Sequence, residues 1–319
     1  MYLAADIGGT KTHLALYELS QEGFTPLRQK KFSSANYPSL EKILEEFLLP
    51  EEKIKKACFG LAGPIHEGRC ITPNIAWVVD QRHLQKALKI EKVALINDIV
   101  ANAYGVKTLS EKDFYNLNRG KNYPSANQTI ISAGTGLGEV GLFFDGDAHR
   151  PFASEGGHSD LFVRNKEEID LFLFLQKKYG QHVSIERVLS GPGLENIYHC
   201  LTQDKGPLEK TPKQSLASLI SEKGLKKECP ICEKALELFV SFYGAEAGNC
   251  VLKFYALGGV FLGGGIAPKI LEVLKSPLFM EAFTAKGRLQ ELLASVPIKV
   301  ILNEETALLG SAYYAKHLL

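Results

Sequence analysis

The hydrophobic positions of this chain fall into short apolar runs that end in glycine and longer segments with apolar residues at helical spacing. Residues 3–7 predict a strand, Gly8-Gly9-Thr10 a tight turn, and residues 13–17 a second strand. The same layout returns where residues 129–133 lead through a glycine loop into residues 140–144. Two such glycine-turn hairpins, one in each half, predict two related α/β domains rather than one long sheet.

A third glycine cluster follows the apolar residues 260–262 and precedes a helix expected over 269–274. Further helices are expected where apolar residues recur at helical spacing, over 40–49, 169–179, 235–255 and 306–318. Residues 204–214 are rich in Lys, Pro and Thr, and we expect an exposed loop there.

Bulk composition limits the function classes. A chain of 319 residues suggests about two domains, and 45% hydrophobic with 23% charged residues is ordinary for a globular protein. The formal net charge of +1 argues against a dedicated nucleic-acid binder. We find no basic leader with a cleavage site and no apolar run of the ~18–20 residues that a membrane span needs. We therefore expect a cytoplasmic protein with no nucleic-acid or membrane partner.

The six cysteines are scattered, apart from Cys229 and Cys232, and this scatter suggests reduced thiols. Cys229-Pro-Ile-Cys232 could be half of a zinc site or a redox pair. A zinc site needs a second ligand pair at suitable spacing, and the sequence offers none. A structural role is therefore favoured for both cysteines.

The first turn is a candidate phosphate site. Glycines at Gly8 and Gly9 let backbone N–H groups face an anion, and the Thr10 hydroxyl can donate to a phosphate oxygen. Asp6 would repel phosphate but suits Mg²⁺ held through its water shell. The alternative is an ordinary hairpin turn with a capping Asp.

The second candidate is Gly134-Thr135-Gly136-Leu137-Gly138. It is not a Walker loop, because no Gly-Lys-Thr follows, and a strand rather than a long helix is expected after it. A lone glycine loop is weak evidence for phosphate binding. Two equivalent loops, one in each half, could grip one triphosphate from both sides.

An apolar strand ends in Asn97-Asp98, and an Ala-rich helix begins there. In open α/β sheets, functional groups gather at the carboxyl ends of strands. Asp98 could accept a proton from a hydroxyl as it attacks a γ-phosphate, as in kinases. The alternative is that Asn97 and Asp98 merely cap the helix.

Two further segments offer groups for a polar ligand. Glu155 and His158 could ligate a metal on a helix, but the two glycines between them disfavour a helix and permit close approach of a small ligand. A carboxylate and an imidazole also suit sugar hydroxyls, which both donate and accept. Glu186 precedes Arg187, and a surface ion pair or a helix start would explain both residues when they are taken alone.

Together these motifs resemble bacterial glucokinases of the hexokinase–actin–chaperone ATPase superfamily. Six segments occur in that family's order, nearly end to end: Asp6-Ile-Gly-Gly-Thr10, Ile96-Asn-Asp98, Gly134-Thr-Gly-Leu-Gly138, Glu155-Gly-Gly-His158, Glu186-Arg-Val-Leu-Ser-Gly-Pro-Gly193 and Gly259-Val-Phe-Leu-Gly-Gly-Gly-Ile266. The resemblance implies an α/β fold with two ribonuclease-H-like (actin-like ATPase) domains flanking a central cleft. We expect a small domain of residues 1–108 plus 301–319 and a large domain of residues 109–300.

The resemblance also implies ATP-dependent phosphorylation of glucose for glycolysis, with Mg²⁺, by a homodimer. Asp98 corresponds to the general base and Asn97 to its neighbour on the sugar. By the same resemblance, three residues bind the sugar: Glu155, His158 and Glu186. Five residues bind phosphate, namely Gly8, Gly9, Thr10, Gly134 and Thr135, and Asp6 contacts Mg²⁺ through water. Gly263, Gly264 and Gly265 lie near the adenosine.

The sequence also departs from relatives of this family. The family keeps an Asn shortly before a Trp, and Asn74 before Trp77 is the closest match. Residues 159–163 lack the Cys-rich motif of the related repressor and kinase family, so zinc is not expected. A non-catalytic sugar sensor and a sugar-independent ATPase of the same superfamily are the rival functions. The first would usually carry an added DNA-binding segment, and the second would not need residues 155–158.

Overall fold

The computed structural model describes residues 1–20, 23–72, 75–208, 211 and 214–319. Its internal contacts divide the chain into two compact units. Unit 1 consists of Met1–Glu111 and Asn303–Leu319, and unit 2 consists of Lys112–Leu302. Within the described ranges, none of the helices combines the length and the apolar character needed to cross a membrane.

The secondary structure alternates between strands and helices. The strands are β1 Tyr2–Ile7, β2 Lys11–Ser20, β3 Gly23–Ser33, β4 Lys56–Leu61, β5 Ile65–His66, β6 Arg69–Ile71, β7 Val78–Asp80, β8 Val93–Asn97, β9 Phe114–Asn118, β10 Gln128–Ala133, β11 Leu137–Phe144, β12 His149–Ser154, β13 Gly259–Gly263 and β14 Ile298–Ile301. The α-helices are α1 Leu40–Phe47, α2 Gln81–Leu88, α3 Asp98–Val106, α4 Lys166–Tyr179, α5 Gly191–Thr202, α6 Leu216–Leu225, α7 Pro230–Phe254, α8 Leu271–Leu274, α9 Pro277–Thr284, α10 Gln290–Ala294 and α11 Thr306–His317.

Unit 1 is built on a five-stranded sheet with the order β3-β2-β1-β4-β8. β1 is antiparallel to β2 and parallel to β4, and β4 is parallel to β8. One buried cluster joins the sheet to α1 and includes the single tryptophan, Trp77, whose indole Nε1 donates to the Tyr37 carbonyl over 3.0 Å. The parallel strands therefore end at one common edge, which is where functional groups gather in such sheets.

The other face of the unit 1 sheet is covered by α3 and α11. Ser311 on α11 donates to the Ala5 carbonyl of β1 over 2.9 Å. The two helices cross closely, because a Cβ atom at Gly105 would overlap the backbone of Thr306. The last helix of the chain thus fixes the position of α3 against the sheet.

Unit 2 contains a six-stranded sheet with the order β12-β11-β10-β13-β14-β9. β10, β13 and β14 are parallel to one another, and β11 and β12 continue from β10 as an antiparallel meander. Its five strands from β12 to β14 repeat the order and directions of the unit 1 sheet. The two-domain prediction from the paired glycine hairpins agrees with this repeat.

Helix α7 forms much of the core of unit 2. It is buried along most of its length, and Tyr243 donates from its hydroxyl to the Ile131 carbonyl of β10 over 3.1 Å. The sequence pattern placed the start of this helix at residue 235, five residues late. The helix begins at Pro230 because the Cys229 thiol sulfur accepts a hydrogen bond from the Cys232 N–H over 3.3 Å and caps it. Cys is an uncommon N-cap, and the hydrophobic spacing did not register Pro230 at the first helical position, which is a start signal.

The other expected elements are present with small shifts. The helix expected over 40–49 ends at Phe47, and the one expected over 169–179 begins earlier, at Lys166. The helix expected over 269–274 is shortened to Leu271–Leu274. The loop expected over 204–214 lies partly outside the described residues.

Candidate active site

The carboxyl edge of the unit 1 sheet brings two candidate segments together. Ile7 pairs with Leu61, and Leu61 pairs with Asn97, so the ends of β1, β4 and β8 lie in one row. Two strand spacings separate the Asp6 segment from the Asn97 segment, which is about 10 Å. Groups on both segments can therefore reach the same small ligand.

The turn between β1 and β2 is fixed by its own backbone and by one serine. The Gly8 N–H donates to the Lys11 carbonyl over 2.9 Å. The Ser34 backbone N–H donates to the Thr10 carbonyl over 3.1 Å, and its hydroxyl donates to the Gly8 carbonyl over 3.0 Å. These bonds occupy the Gly8 N–H and the Gly8 and Thr10 carbonyls, so the turn presents the Gly9 and Thr10 N–H groups and the exposed Thr10 side chain to a ligand.

Asp6 has an unusual electrostatic environment. Its side chain is partly buried at the end of β1, and loss of hydration raises its pKa to about 6. A carboxyl group in this state gains from a nearby cation. The donor set therefore suits a Mg²⁺ ion, which prefers oxygen ligands and keeps several of its waters.

Asn97 and Asp98 lie where β8 passes into α3. The Asn97 side-chain oxygen accepts from the Ile99 N–H over 3.0 Å, and its amide nitrogen donates to the Gly63 carbonyl over 3.2 Å. Asp98 Oδ1 also accepts from the Ile99 N–H, over 2.9 Å. Asn97 therefore serves as the N-cap of the helix, which places the Asp98 carboxylate at its positive end.

In unit 2 two glycine loops lie side by side, after the parallel strands β10 and β13. The Gly134 N–H donates to the Gly136 carbonyl over 3.0 Å, which closes a tight turn, and Thr135 is exposed at its tip. In the other loop Gly264 has a φ of +79°, and a Cβ atom there would overlap the Ala133 carbonyl. Only glycine combines this backbone conformation with so close an approach. The exposed Gly265 follows it.

The Gly134 loop also contacts the next candidate segment. The Gly191 N–H at the start of α5 donates to the Gly134 carbonyl over 2.9 Å. Glu186 Oε2 accepts from the Leu137 N–H over 3.0 Å. The alternative of a surface ion pair between Glu186 and Arg187 is not formed, and the Arg187 guanidinium instead lies 4.4 Å from the centre of the Tyr179 ring.

Glu155 precedes a single 3-10 turn, Gly156–His158, and His158 is its last residue. Both side chains are exposed. The His158 N–H donates to the Glu155 carbonyl over 2.9 Å. The Ser159 carbonyl accepts from the Ile185 N–H over 2.9 Å, which ties this turn to the Glu186 segment. Unit 2 therefore brings together Glu155, His158, Glu186 and the Gly134 loop.

Some features of the site were missed or lie outside the described residues. Ser34, which fixes the first turn, gave no sequence signal because it comes from a distant strand end. Glu139 lies directly beneath the Gly156–His158 turn and was also missed. Its place one residue after the glycine loop, in an apolar strand, is the signal that could have found it. Asn74 is outside the described residues.

Comparison with known proteins extends these observations. The family model for glucokinase matches residues 3–318. The chain belongs to the glucokinase family. It is 39% identical to the glucokinase of Nostoc punctiforme, with 100% of this chain and 99% of the relative covered. This glucokinase family member is therefore an enzyme, as the motifs predict.

Solved structures agree with the fold of the glucokinase family. A glucokinase from an Antarctic psychrotroph is 30% identical, with 98% of each chain covered and a TM-score of 0.83. A ROK family glucokinase from Streptomyces griseus, solved in complex with glucose and AMPPNP, is 18% identical, with 99% of each chain covered and a TM-score of 0.67. The predicted α/β fold of two actin-like ATPase domains is confirmed.

Proposed function

We propose that this protein transfers the γ-phosphoryl group of ATP to the 6-hydroxyl of D-glucose and so supplies glucose 6-phosphate to glycolysis. The observation that carries the proposal is the direct hydrogen bond between Glu186 and the Leu137 N–H of the glycine loop. It joins a group suited to a sugar hydroxyl to a loop suited to phosphate. Membership of the glucokinase family supports both the sugar and the ATP donor.

Asp98 is the proposed general base. The 6-hydroxyl must lose its proton as its oxygen bonds to the γ-phosphorus, and a carboxylate positioned within hydrogen-bond reach accepts that proton. The fixed cap made by Asn97 supports this role, because it holds the start of α3 and hence the Asp98 backbone in place. Asn97 is proposed to contact the sugar beside it.

Glu155, His158 and Glu186 are the proposed ligands of the other sugar hydroxyls. A carboxylate accepts from a hydroxyl, and an imidazole can accept or donate. A site built to hydrogen-bond a hydroxyl discriminates against an analogue that lacks it by roughly 10⁴–10⁵-fold. The exposure of Glu155 and His158 in the ligand-free protein leaves both side chains available to such a substrate.

The glycine segments are the proposed nucleotide site. The backbone N–H group of Gly9 and the hydroxyls of Thr10 and Thr135 would hold phosphate oxygens. Gly8 and Gly134, whose own N–H groups close the two turns, would let the phosphates come close. Gly263, Gly264 and Gly265 would lie near the adenosine, where the absence of side chains leaves room for it. Asp6 would hold Mg²⁺ through water, and that ion would supply neutralisation of the charge on the ATP phosphates. The same proposal includes a homodimer and a cytoplasmic location. It also includes a small domain that ends at residue 108 and resumes at residue 301, on either side of the large domain.

The base assignment is tested with Asp98→Asn. Removal of a general base costs roughly 10²–10⁴-fold in rate, so we expect kcat to fall in that range with little change in the KM for glucose. The matched control is Asp80→Asn, because Asp80 also caps a helix of unit 1 through its carboxylate. Asn caps as well as Asp, so the control should retain wild-type kcat and thermal stability. A near-normal kcat in Asp98→Asn would refute the assignment.

The substrate assignment is tested by a coupled assay with a panel of hexoses and with ATP, GTP and polyphosphate as donors. We expect glucose and ATP to give the highest kcat/KM. ATP hydrolysis is measured in parallel with and without glucose. Hydrolysis that is equally fast without sugar would favour the sugar-independent ATPase, and sugar binding without turnover would favour the sensor.

A further inference from the structure

A buried carboxyl group lies directly beneath the Gly156–His158 turn. Glu139 is on β11, paired with Ser154 of β12, and its side chain is 1% exposed. Within the described part of the chain, neither carboxylate oxygen of Glu139 has a hydrogen-bond partner. A buried polar group without a partner is costly, so its presence here requires an explanation.

The same carboxyl group is packed against the turn above it. A Cβ atom at Gly156 would overlap Glu139 Oε2 and lie 3.2 Å from the Ser154 hydroxyl oxygen. The Ser154 hydroxyl donates to the Glu139 carbonyl over 2.9 Å and accepts from the Gly156 N–H over 3.3 Å. The turn therefore rests on the Glu139 side chain, and any displacement of that side chain is transmitted to the backbone of Gly156.

On its other side Glu139 faces a charged cluster on α7. An oxygen of Glu139, an oxygen of Glu246 and the Cys250 sulfur lie within 4.8 Å of one another. Glu246 already has partners for both of its oxygens, since Lys253 Nζ lies 2.9 Å from Oε1 and the Asn249 amide donates to Oε2 over 2.7 Å. Glu139 is thus the unsatisfied member of the cluster.

We infer that Glu139 is a positioning residue of the sugar site, a carboxyl group kept in its neutral acid form on which the turn bearing Glu155 and His158 rests. This inference rests on the proposed sugar-binding role of that turn. As a neutral acid, Glu139 carries a hydroxyl that can donate to Glu246, and it adds no charge to the cluster. Once ionised, it would bring a second negative charge beside Glu246 and against Gly156.

The electrostatic surroundings of Glu139 support this state. Burial first, and then the negative charge of Glu246, raise the pKa of Glu139 to about 7, against a weaker opposing effect of Lys253. Burial and these carboxylates also raise the pKa of Cys250, so its thiol stays neutral. Lys286, from the segment after α9, donates to Asn249 Oδ1 over 2.6 Å. Glu155 and His158 on the turn itself are exposed.

A divalent metal is a poorer occupant of this cluster than a proton. The ammonium group of Lys253 already neutralises Glu246, and Lys286 adds a second positive charge nearby. A metal would have to displace Lys253 or draw a proton from Cys250, whose pKa lies far above neutrality. A single proton satisfies Glu139 without either change.

The test is the pH dependence of the KM for glucose in Glu139→Gln. The amide has the shape of the acid but cannot ionise. In the wild type we expect the KM for glucose to rise as the pH rises from 6 to 9, by about tenfold if ionisation displaces the turn by a fraction of an ångström. In Glu139→Gln most of this rise in KM should be lost. Glu139→Ala, which removes the support, should raise the KM at every pH.

Glu168→Gln is the matched control, because Glu168 is equally buried in unit 2 but is ion-paired with Arg164. It should keep the pH dependence of the wild type. A Glu139→Gln enzyme with the wild-type pH dependence would overturn the inference, and so would one metal ion per wild-type chain that is lost in Glu139→Gln.

Failure of the proposed function is distinguishable in the same experiments. If the wild type does not phosphorylate glucose, the proposed function fails. The inference is then decided by infrared titration of the ligand-free protein. The wild-type-minus-Glu139→Gln difference spectrum should contain a protonated carboxylic acid band at pH 6 that is lost by pH 9. Absence of that band at pH 6 would overturn the protonation state that the inference requires.

Discussion

Glu186 occupies two roles at once, as a proposed sugar ligand and as the acceptor of the Leu137 N–H. Glu155, by contrast, is exposed and reaches the glycine loop only through the backbone of its turn. The two carboxylates therefore differ in what their removal disturbs, although the sequence assigns them the same role.

This difference predicts different kinetics for two alanine variants. A hydrogen bond to a charged group is worth about 1.5–3 kcal/mol, or roughly 10–100-fold in affinity. Glu155→Ala should raise the KM for glucose alone. Glu186→Ala should raise the KM for both glucose and ATP, because the Leu137 N–H loses its acceptor and the loop keeps only its bond to the Gly191 N–H. Steady-state kinetics with each substrate varied in turn measures both effects, and equal effects of the two variants on ATP would contradict the prediction.

The sequence motifs located most of the candidate site residues, but not the residues that hold those site residues in place. Asp98, Glu155 and Glu186 stand in short patterns whose residue types already indicate chemistry. Ser34 and Glu139 act through contacts with Gly8 and Gly156, which depend on strand pairing that no local pattern specifies. The roles of the motif residues themselves stay predictions until variants are measured.

At the scale of elements, the crossing of α3 and α11 determines where Asp98 lies. Gly105 allows this crossing because its missing Cβ leaves room for the Thr306 backbone, and Gly310 does the same against Ala101. A backbone atom cannot move aside as a flexible side chain does. The elements themselves were largely predictable from hydrophobic spacing, whereas this crossing was not, because it depends on which glycines of two distant helices meet.

Gly105→Ala should therefore destabilise unit 1. Overpacking at a close crossing costs about 1–3 kcal/mol of unfolding free energy. Each kcal/mol lowers the Tm by about 2–4 °C, so we expect the Tm to fall by several degrees. Gly191→Ala is the control, since a Cβ atom there makes only ordinary contacts at 3.6 Å and 3.9 Å. Calorimetry should find the Tm of the control close to the wild-type value. An unchanged Tm in Gly105→Ala would show that the two helices can separate at low cost.

At the scale of the whole molecule, the stability of the fold depends on pH, because two carboxyl groups have raised pKa values. Burial raises the pKa of Asp6 to about 6 and, with Glu246, that of Glu139 to about 7. In the unfolded chain both groups ionise near pH 4. Between the pKa values of the unfolded and the folded protein, these groups bind more protons in the folded protein than in the unfolded chain. The free energy of unfolding therefore falls as the pH rises from about 4 to 7.

Neutral amides in place of Asp6 and Glu139 should remove this loss of stability at higher pH. The double variant Asp6→Asn, Glu139→Gln should gain Tm relative to the ligand-free wild type as the pH is raised from 5 to 8. At pH 5 the two proteins should unfold at similar temperatures, because the wild-type groups are then largely protonated. Scanning calorimetry at both pH values measures the gain, and a Tm difference that is independent of pH would contradict the linkage.

The discontinuity of unit 1 has a consequence for the protein's folding. Unit 2 is one continuous segment, so all of its internal contacts join residues within 112–302. Unit 1 must wait for α11, whose Ser311 bonds to β1 and whose backbone packs on α3. The glycine loops of unit 2 can thus form through contacts within one segment, whereas the position of Asp98 depends on contacts between residues up to 306 positions apart. Closing contacts of such long range is slow in folding, so we expect the proposed catalytic base to be positioned late when the unfolded protein refolds.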